Sequence, residues 1–511
     1  MELRDCAKQW SLNEQYGCWC LERIVYTDRA RVPAAQRLSI YVPKPYMSAP
    51  GVIDRDGSCG SFNACTAPVV FENNSAGYRE MSCEALGSFR DESEKYLARG
   101  MAYVSCGCRG MDSVDAAGVL CGKSPWTLVD LKTAIRFLRH NAAALPGDFS
   151  KLFSVGWSAG GAMSALLAVT GDDPRYNVFL AENGAEMGES DAVFAAQIYC
   201  PITDLEHADA AYEWQFHADK ENEATPFNPP GTMTAFQDAL SEKLAARYVD
   251  YFNSLGLRDP KSGELLTFGS DGRSGSAYAC LMTRLEEAAT DYLRRLTAGE
   301  PGEDFSPEDY LRGNYSRQRV RVHPSPEGMV HETIVVPGQD KRGWLRWDGK
   351  RAEITSLDAY ILNHRRRMKP CTAFDALDCI TPENREYGTE TCDALHFSED
   401  LKMALRSLTD RFPAETGELL AACDKTQEDA ALKKRLDLIN PMRYIGSGAV
   451  HYRIRTGACD ADTAFTVSLM LALALENAGK KVDFAFVWDQ PHCEADYPGE
   501  VCDWIENLCM K

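Results

Sequence analysis

The stretch Lys151-Leu152-Phe153-Ser154-Val155-Gly156-Trp157-Ser158-Ala159-Gly160-Gly161 decides the fold that we predict. Its apolar start, residues 151–155, is typical of a buried strand, and the apolar residues 162–169 that follow predict a helix. Between them stands a G-x-S-x-G motif, whose glycines allow the sharp strand-to-helix turn that exposes a serine at the end of a sheet. Ser158 is therefore the candidate nucleophile of a serine hydrolase.

Strand and helix patterns alternate around this motif and return near the end of the chain. Such alternation predicts a mostly parallel sheet with helices on both faces. The strand-like runs are residues 23–26, 37–42, 68–72, 101–105, 193–199, 451–455 and 482–488. The helical patterns are residues 92–99, 126–140, 463–477 and 500–508.

The interval between the two groups of patterns is different, because it is mainly helical, with long helical patterns at 234–255 and 277–296. It also holds a strand-like run at 333–336. We therefore predict an α/β-hydrolase fold with a large, mainly helical inserted lid. The predicted division is residues 1–201 for the first part of the core, 202–440 for the lid and 441–511 for the second part of the core.

A nucleophilic serine needs a base and an acid, which follow it in this fold in the order acid, then histidine. His492 satisfies this order because it comes shortly after the predicted strand 482–488, and loops after strand ends carry catalytic groups in such sheets. The acid should follow the preceding strand, where Asp460 and Asp462 compete. We favour Asp460, since Asp489 is too near His492 in sequence. Asp462 then either accepts a bond from a substrate hydroxyl or caps the helix that begins after it.

The oxyanion of the reaction needs two backbone N–H donors. The first is that of Ala159, directly after the nucleophile, at the positive end of the predicted helix. The second is expected from Ser75, Ala76 or Gly77, in the loop after the strand 68–72. That loop lacks the HGGG signature of many lipases and esterases, which argues against that subgroup.

Composition excludes several other classes of protein. The 511 residues carry a formal net charge of −20, which disfavours nucleic acid as a partner. The most apolar stretch, residues 464–475, is too short to cross a membrane, so no membrane partner is expected. The 19 cysteines form no metal-binding spacing, and we expect buried thiols, no metal and no cofactor. Because the N-terminus is polar, a cytoplasmic protein is the default expectation, with a secreted form left open.

Five segments resemble the bacterial tannase (tannin acylhydrolase) group and its feruloyl-esterase-like relatives. They are RLSIYVP (37–43), APVVFENN (67–74), GWSAGG (156–161), CPITDL (200–205) and IRTGACDADT (454–463). The resemblance implies an α/β-hydrolase core with a large lid, no cofactor, and esters of phenolic acids such as gallate, protocatechuate or hydroxycinnamates as small-molecule substrates.

By this resemblance Ser158, Asp460 and His492 form a catalytic triad, and Asp462 binds hydroxyls of the phenolic ring. A lid lysine and a lid acid also hold the ring in this family, and Lys341 and Asp358 lie in the corresponding region of this sequence. The chain departs from the family at Trp157, where tannases usually carry a small polar residue. We expect Trp157 to line the substrate site.

Two other functions are compatible with the sequence. A serine peptidase of the prolyl-oligopeptidase type shares the fold and often has Trp before the serine, but it usually carries a further domain ahead of the hydrolase domain. A non-catalytic binding module on a hydrolase scaffold typically loses a triad member, whereas this chain has a candidate for each.

Overall fold

The computed structural model describes residues 2–73, 75–88, 91–222, 229–300, 303–325, 328–427 and 430–510. The strands are β1 (Ser11–Asn13), β2 (Cys18–Val25), β3 (Arg37–Pro43), β4 (Met47–Ala49), β5 (Val52–Ile53), β6 (Ser58–Cys59), β7 (Phe62–Asn63), β8 (Pro68–Asn73), β9 (Ala102–Cys106), β10 (Asp148–Trp157), β11 (Ala195–Tyr199), β12 (Glu221–Asn222), β13 (Gly231–Thr232), β14 (Ser316–Ser325), β15 (Gly328–Pro337), β16 (Leu345–Trp347), β17 (Ala352–Ile354), β18 (His451–Gly457) and β19 (Lys481–Val487). The helices are α1 (Ser93–Leu97), α2 (Trp126–His140), α3 (Ala159–Val169), α4 (Asn177–Glu182), α5 (Leu205–Phe216), α6 (Ala235–Ser254), α7 (Gly275–Thr297), α8 (Pro307–Arg312), α9 (Leu357–Asn363), α10 (Pro382–Glu386), α11 (Glu399–Leu408), α12 (Pro413–Gln427), α13 (Ala430–Leu438), α14 (Phe465–Asn477) and α15 (Glu500–Cys509).

The central sheet has nine strands in the described part of the chain, in the order β1-β2-β3-β9-β8-β10-β11-β18-β19. The six strands from β9 to β19 run parallel to their neighbours. Strands β1 to β3 extend the sheet in antiparallel fashion beside β9. Strand β10, which leads into Ser158, lies between β8 and β11 in the parallel part. The carboxyl ends of these strands therefore bring their following loops to one edge.

The first strand of the predicted set is longer than expected. Strand β2 begins at Cys18 rather than at residue 23 and pairs antiparallel with β3. Residues Cys18 to Leu21 are all buried, so their side chains do not alternate between apolar and polar as a half-buried strand does.

Two apolar helices pack on the parallel strands of the central sheet. Every residue of α3 is buried, and α3 packs on β10, β11 and α2. Helix α14 contacts β18 and β19 and also α5 and α7, which belong to the predicted lid segment of residues 202–440. A helix enclosed in this way is apolar all round, as its sequence is. Among the described residues, no helix combines the length and apolarity that crossing a lipid bilayer would require.

The chain leaves the central sheet after β11 and rejoins it at β18, on the free side of β11. In between, α5, α6 and α11 pack on one another, and β14 and β15 form an antiparallel hairpin that includes the predicted run 333–336. We therefore retain the proposed division into a core of residues 1–201 and 441–511 and a lid of residues 202–440.

Candidate active site

Ser158 lies in the turn between β10 and α3, with φ 61° and ψ −128°. A non-glycine residue in this left-handed region costs about 1–3 kcal/mol, which the surrounding structure must supply. The neighbouring glycines make the turn possible. A Cβ on Gly156 would lie 2.4 Å from the Gly160 carbonyl oxygen, and a Cβ on Gly160 would lie 2.7 Å from the Asn73 carbonyl oxygen. The motif is therefore a strand-to-helix elbow that only glycine allows at these two positions.

His492 and Asp460 come together from the loops that follow β19 and β18. The Nδ1 atom of His492 lies 2.8 Å from Asp460 Oδ2. Asp460 is fully buried, and its Oδ1 accepts the backbone N–H of Asp462 at 2.8 Å. The two loops are joined because Cys459 donates its backbone N–H to the Gln490 carbonyl at 2.8 Å. This arrangement can hold the imidazole in one orientation with Nε2 available to a substrate or a nucleophile.

Trp157 connects this pair to the elbow. Its ring contacts the His492 ring edge-on, with 5.6 Å between the ring centroids. Trp157 directly precedes Ser158, whose residue exposure is 8%. The serine, the histidine and the tryptophan therefore share one edge of the sheet. Asp489, the acid set aside on sequence grounds, instead forms an ion pair with Arg317 of the lid.

The charge state of His492 depends on two carboxylates. Although burial disfavours the charged ring, Asp460 and then Asp462 raise the pKa of His492 well above its ordinary value of 6.5. A general base must be neutral, so we expect kcat/KM to fall on the acid side with an apparent pKa above 6.5. A pH–rate profile of ester hydrolysis measures this. An acid limb centred at or below 6.5 would contradict the expectation.

Cys200 is a member of the site that the sequence did not reveal. It follows β11 with φ 40° and is fully buried. One ligand atom from each of Cys200, Asp460 and His492 lies within 4.8 Å of the others. Burial and the Asp460 charge raise the pKa of the Cys200 thiol to about 12. Cys200 therefore stays a thiol at neutral pH and is no rival nucleophile, but it can donate a weak hydrogen bond to His492.

The candidate oxyanion donors lie beside the elbow. Ala159 is the first residue of α3. The loop after β8 begins with Asn74, which lies outside the described residues, and continues with Ser75, which is fully buried. A Cβ on Gly160 would lie 3.5 Å from the backbone nitrogen of Ser75, so this nitrogen approaches the start of α3. Ala76 and Gly77 follow in a 3-10 turn, with Gly77 at φ 56°.

Asp462 shares its surroundings with residues of the 202–440 segment that the sequence did not single out. Burial opposes its ionisation, but His492, Lys369 and Arg365 lower the pKa of Asp462. Burial raises the pKa of Glu383, an effect that Lys369 opposes and Asp462 reinforces. Asp462, Lys369 and Glu383 are therefore close enough to interact electrostatically. Glu383 lies on α10, which packs against the 3-10 turn of residues 76–78.

Lys341 and Asp358, predicted from resemblance to hold the ring, are engaged elsewhere. Lys341 is 2% exposed, and its Nζ donates to the Tyr315 hydroxyl at 2.8 Å. Its ammonium lies 4.3 Å from the centroid of the Tyr310 ring. Asp358 forms an ion pair with Arg273 at 2.8 Å. Lys341 therefore bonds to Tyr315, and Asp358 pairs with Arg273. The spacing of charged residues along the sequence does not fix which of them meet in the folded chain.

Comparison with known proteins bears on the whole chain. The BD-FAE family model matches residues 75–250. The chain is similar to a tannin acyl hydrolase solved in complex with ethyl gallate, at 30% identity and a TM-score of 0.76 over 96% of this chain and 94% of that one. It is similar to the tannase of Fusobacterium nucleatum, at 30% identity and a TM-score of 0.74 over 96% of this chain and 95% of that one.

Two further comparisons are with another solved tannin acyl hydrolase and with a curated esterase. The native tannin acyl hydrolase of Lactobacillus plantarum is 29% identical with a TM-score of 0.76, over 96% of this chain and 94% of that one. Esterase LipC of Mycobacterium tuberculosis is 41% identical over 58 residues, which is 11% of this chain and only 14% of that esterase. The near-complete overlap with the solved structures confirms the predicted α/β-hydrolase fold with an inserted helical domain.

Proposed function

The chain belongs to the bacterial tannase and feruloyl-esterase-like group of the α/β-hydrolase superfamily and is a carboxylic ester hydrolase, and from this premise we propose that it cleaves phenolic-acid esters through an acyl-enzyme on Ser158. The observation that carries the proposal is the 2.8 Å contact of His492 with Asp460 beside the Ser158 elbow. Two of the similar structures hold ethyl gallate and 3,4-dihydroxybenzoate, which supports a phenolic acyl group here.

In the proposed mechanism, His492 removes the proton from the Ser158 hydroxyl as its oxygen attacks the ester carbonyl. The backbone N–H of Ala159 and one from residues 75–77 stabilise the tetrahedral oxyanion. The alcohol leaves with the proton that His492 returns. Water, deprotonated by the same histidine, then hydrolyses the aroyl-enzyme. Asp460 holds the imidazole in the productive tautomer and stabilises its positive form.

Asp462, Lys369 and Glu383 form the proposed ring-binding site. An ionised Asp462 accepts hydrogen bonds from phenolic hydroxyls, and bonds to a charged acceptor are stronger than neutral ones. Lys369 supplies a charged donor. Burial raises the pKa of Glu383, and its carboxyl group can accept a hydrogen bond in either protonation state. These two lid residues replace Lys341 and Asp358 in our proposal, because they act electrostatically on Asp462.

Removing the Lys369 ammonium tests this assignment. We expect Lys369→Met to cost about 1.5–3 kcal/mol of binding, or roughly a ten- to hundredfold rise in KM, for hydroxylated substrates. The measurement is the ratio of kcat/KM for methyl gallate to that for methyl benzoate, which lacks ring hydroxyls. Lys350→Met, at an exposed lid lysine, is the matched control. A ratio that falls in Lys341→Met or Asp358→Asn but not in Lys369→Met would restore the pair inferred from resemblance.

The substrate class is tested by incubating the protein with methyl gallate, methyl protocatechuate and methyl ferulate and following release of the free acid. Hydrolysis of at least one ester by the parent protein, and by none in Ser158→Ala, is the expected result. The ranking then identifies the preferred acyl group. Cleavage of a dipeptide anilide with no cleavage of the three esters would overturn the proposal in favour of a peptidase.

A further inference from the structure

A second group of His, Cys and Asp side chains lies next to the candidate triad. Cys459 directly precedes Asp460, Asp489 lies in the same loop as His492, and His364 follows the lid helix α9. The Nε2 atom of His364 lies 3.1 Å from Cys459 Sγ, and Asp489 Oδ1 lies 3.6 Å from each of these atoms. The side chains of His364 and Asp489 are 7% and 6% exposed, and Cys459 is buried.

Two of these three separations match the spacing of ligands around a shared ion, and the third, between His364 Nε2 and Cys459 Sγ, is a direct hydrogen bond that would lengthen by about 0.4 Å on ion binding. Zinc bound tetrahedrally at about 2.0–2.3 Å places its N, O and S ligand atoms roughly 3.4–3.6 Å apart. Both contacts of Asp489 Oδ1, at 3.6 Å, match this spacing. The contact with His364 Nε2 is too long for an N–H···O bond, and the contact with Cys459 Sγ is a weak S–H···O bond that an ion would replace. The catalytic pair differs, because His492 and Asp460 bond directly at 2.8 Å.

Two of the three side chains, those of His364 and Asp489, are also held in place by other groups. The imidazole of His364 lies between the rings of Trp344, Tyr360 and Trp488, with centroid distances of 5.1, 5.2 and 5.7 Å. The other carboxylate oxygen of Asp489 pairs with the Arg317 guanidinium, which leaves Oδ1 directed at the cluster. Partners that orient the ligating side chains in this way are characteristic of metal sites.

We propose that His364, Cys459 and Asp489 bind a zinc ion that joins the lid to the core beside the triad. On binding, the Cys459 thiol releases its proton to solvent and the thiolate forms the Zn–S bond. The neutral imidazole of His364 and the carboxylate of Asp489 complete three ligands, and water occupies the fourth position. A donor set of one thiolate, one imidazole and one carboxylate favours binding of zinc over binding of magnesium or calcium.

The first test is a cobalt titration, because Co²⁺ replaces Zn²⁺ and reports thiolate ligation by an intense near-ultraviolet charge-transfer band. The full-length protein, stripped with a chelator, is titrated with Co²⁺ alongside Cys459→Ser and His364→Gln. We expect a saturable band of one equivalent that Zn²⁺ displaces, and binding at least about tenfold weaker in each variant. Cys423→Ser, at a buried lid thiol outside the cluster, is the matched control and should titrate like the parent protein.

Cys200→Ser separates the two His, Cys and Asp groups, since Cys200, Asp460 and His492 offer the same donor types. A band that survives in Cys200→Ser and is lost in Cys459→Ser supports the proposal. A band that is lost in Cys200→Ser but kept in Cys459→Ser would overturn it, because the ion would then lie in the catalytic group. The absence of any saturable thiolate band in the parent protein would also overturn it.

Calorimetry with Zn²⁺ provides a readout that is independent of colour and of catalysis. Titrations in two buffers with different ionisation enthalpies should show release of about one proton per bound ion in the parent protein, as a thiol ligand requires. The same ion should raise the midpoint of thermal unfolding in the parent protein. If Cys459→Ser does not fold, as judged by circular dichroism, His364→Gln provides the decisive comparison. Equal Zn²⁺ affinity in parent and variant would contradict the proposal.

Discussion

Ser158→Ala is expected to lower kcat by about five to six orders of magnitude on any ester that the parent protein hydrolyses, because it removes the oxygen that we propose forms the acyl-enzyme. Cys200 cannot take over, since its pKa is raised to about 12 and its side chain is buried. Residual hydrolysis above the uncatalysed rate would come from the oxyanion donors and substrate binding alone. The measurement is single-turnover release of gallate or protocatechuate at enzyme excess.

The control for this variant should sit on the same strand without touching the site. Ser150→Ala meets this condition, because Ser150 is an exposed residue of β10 whose hydroxyl bonds Asp148. It should keep the parent kcat. A fluorophosphonate probe should label the parent protein and Ser150→Ala but not Ser158→Ala. Full activity in Ser158→Ala would refute the nucleophile assignment.

The second large effect distinguishes the roles of Asp460 and Asp462, both of which the sequence offered as the triad acid. Asp460→Asn should lower kcat by about 10⁴, because an amide neither fixes the imidazole tautomer nor stabilises its positive form. Asp462→Asn should leave most of kcat and raise KM by roughly ten- to hundredfold for hydroxylated rings, because a charged acceptor is lost. Steady-state kinetics with methyl gallate and methyl benzoate distinguish the two results.

The pH profile gives the same pair of variants a second, independent readout. Both carboxylates raise the pKa of His492, so each substitution should move the acid limb of kcat/KM toward lower pH. Only Asp460→Asn should also strongly lower the maximal kcat/KM that is reached above the acid limb. If Asp462→Asn lost the larger part of kcat and Asp460→Asn lost only affinity, the roles of the two residues would be exchanged.

The elbow could be predicted from sequence because its determinants are local. Two glycines, an apolar strand and an apolar helix around Ser158 lie within one short stretch, and the steric contacts of Gly156 and Gly160 explain why those residues are needed. The pairing of Asp460 with His492 was predictable from chain order, since both follow strands of the same sheet.

The ring-binding residues could not be predicted in the same way. Glu383 lies on α10, which packs against the turn that follows β8, and this contact joins segments far apart in sequence. Lys369 lies in a stretch of the chain outside any helix or strand, so no periodic pattern indicates its neighbours. Cys200 was equally hidden, because a cysteine after a strand is usually a buried thiol and nothing in its neighbours indicates His492. Lid packing, rather than strand order, sets these positions.

The insertion of the lid between β11 and β18 has a consequence for synthesis of the chain on the ribosome. Strand β10, which leads into Ser158, emerges first and can pair with β11, but the outer side of β11 has no partner until the inserted segment and β18 have been made. All five residues of β11 are buried in the finished protein, so this temporary edge is apolar and prone to pair with other chains. Protection of that edge requires only β18, whereas the candidate base His492 follows β18 in the chain, so the edge is covered before the candidate site can be complete.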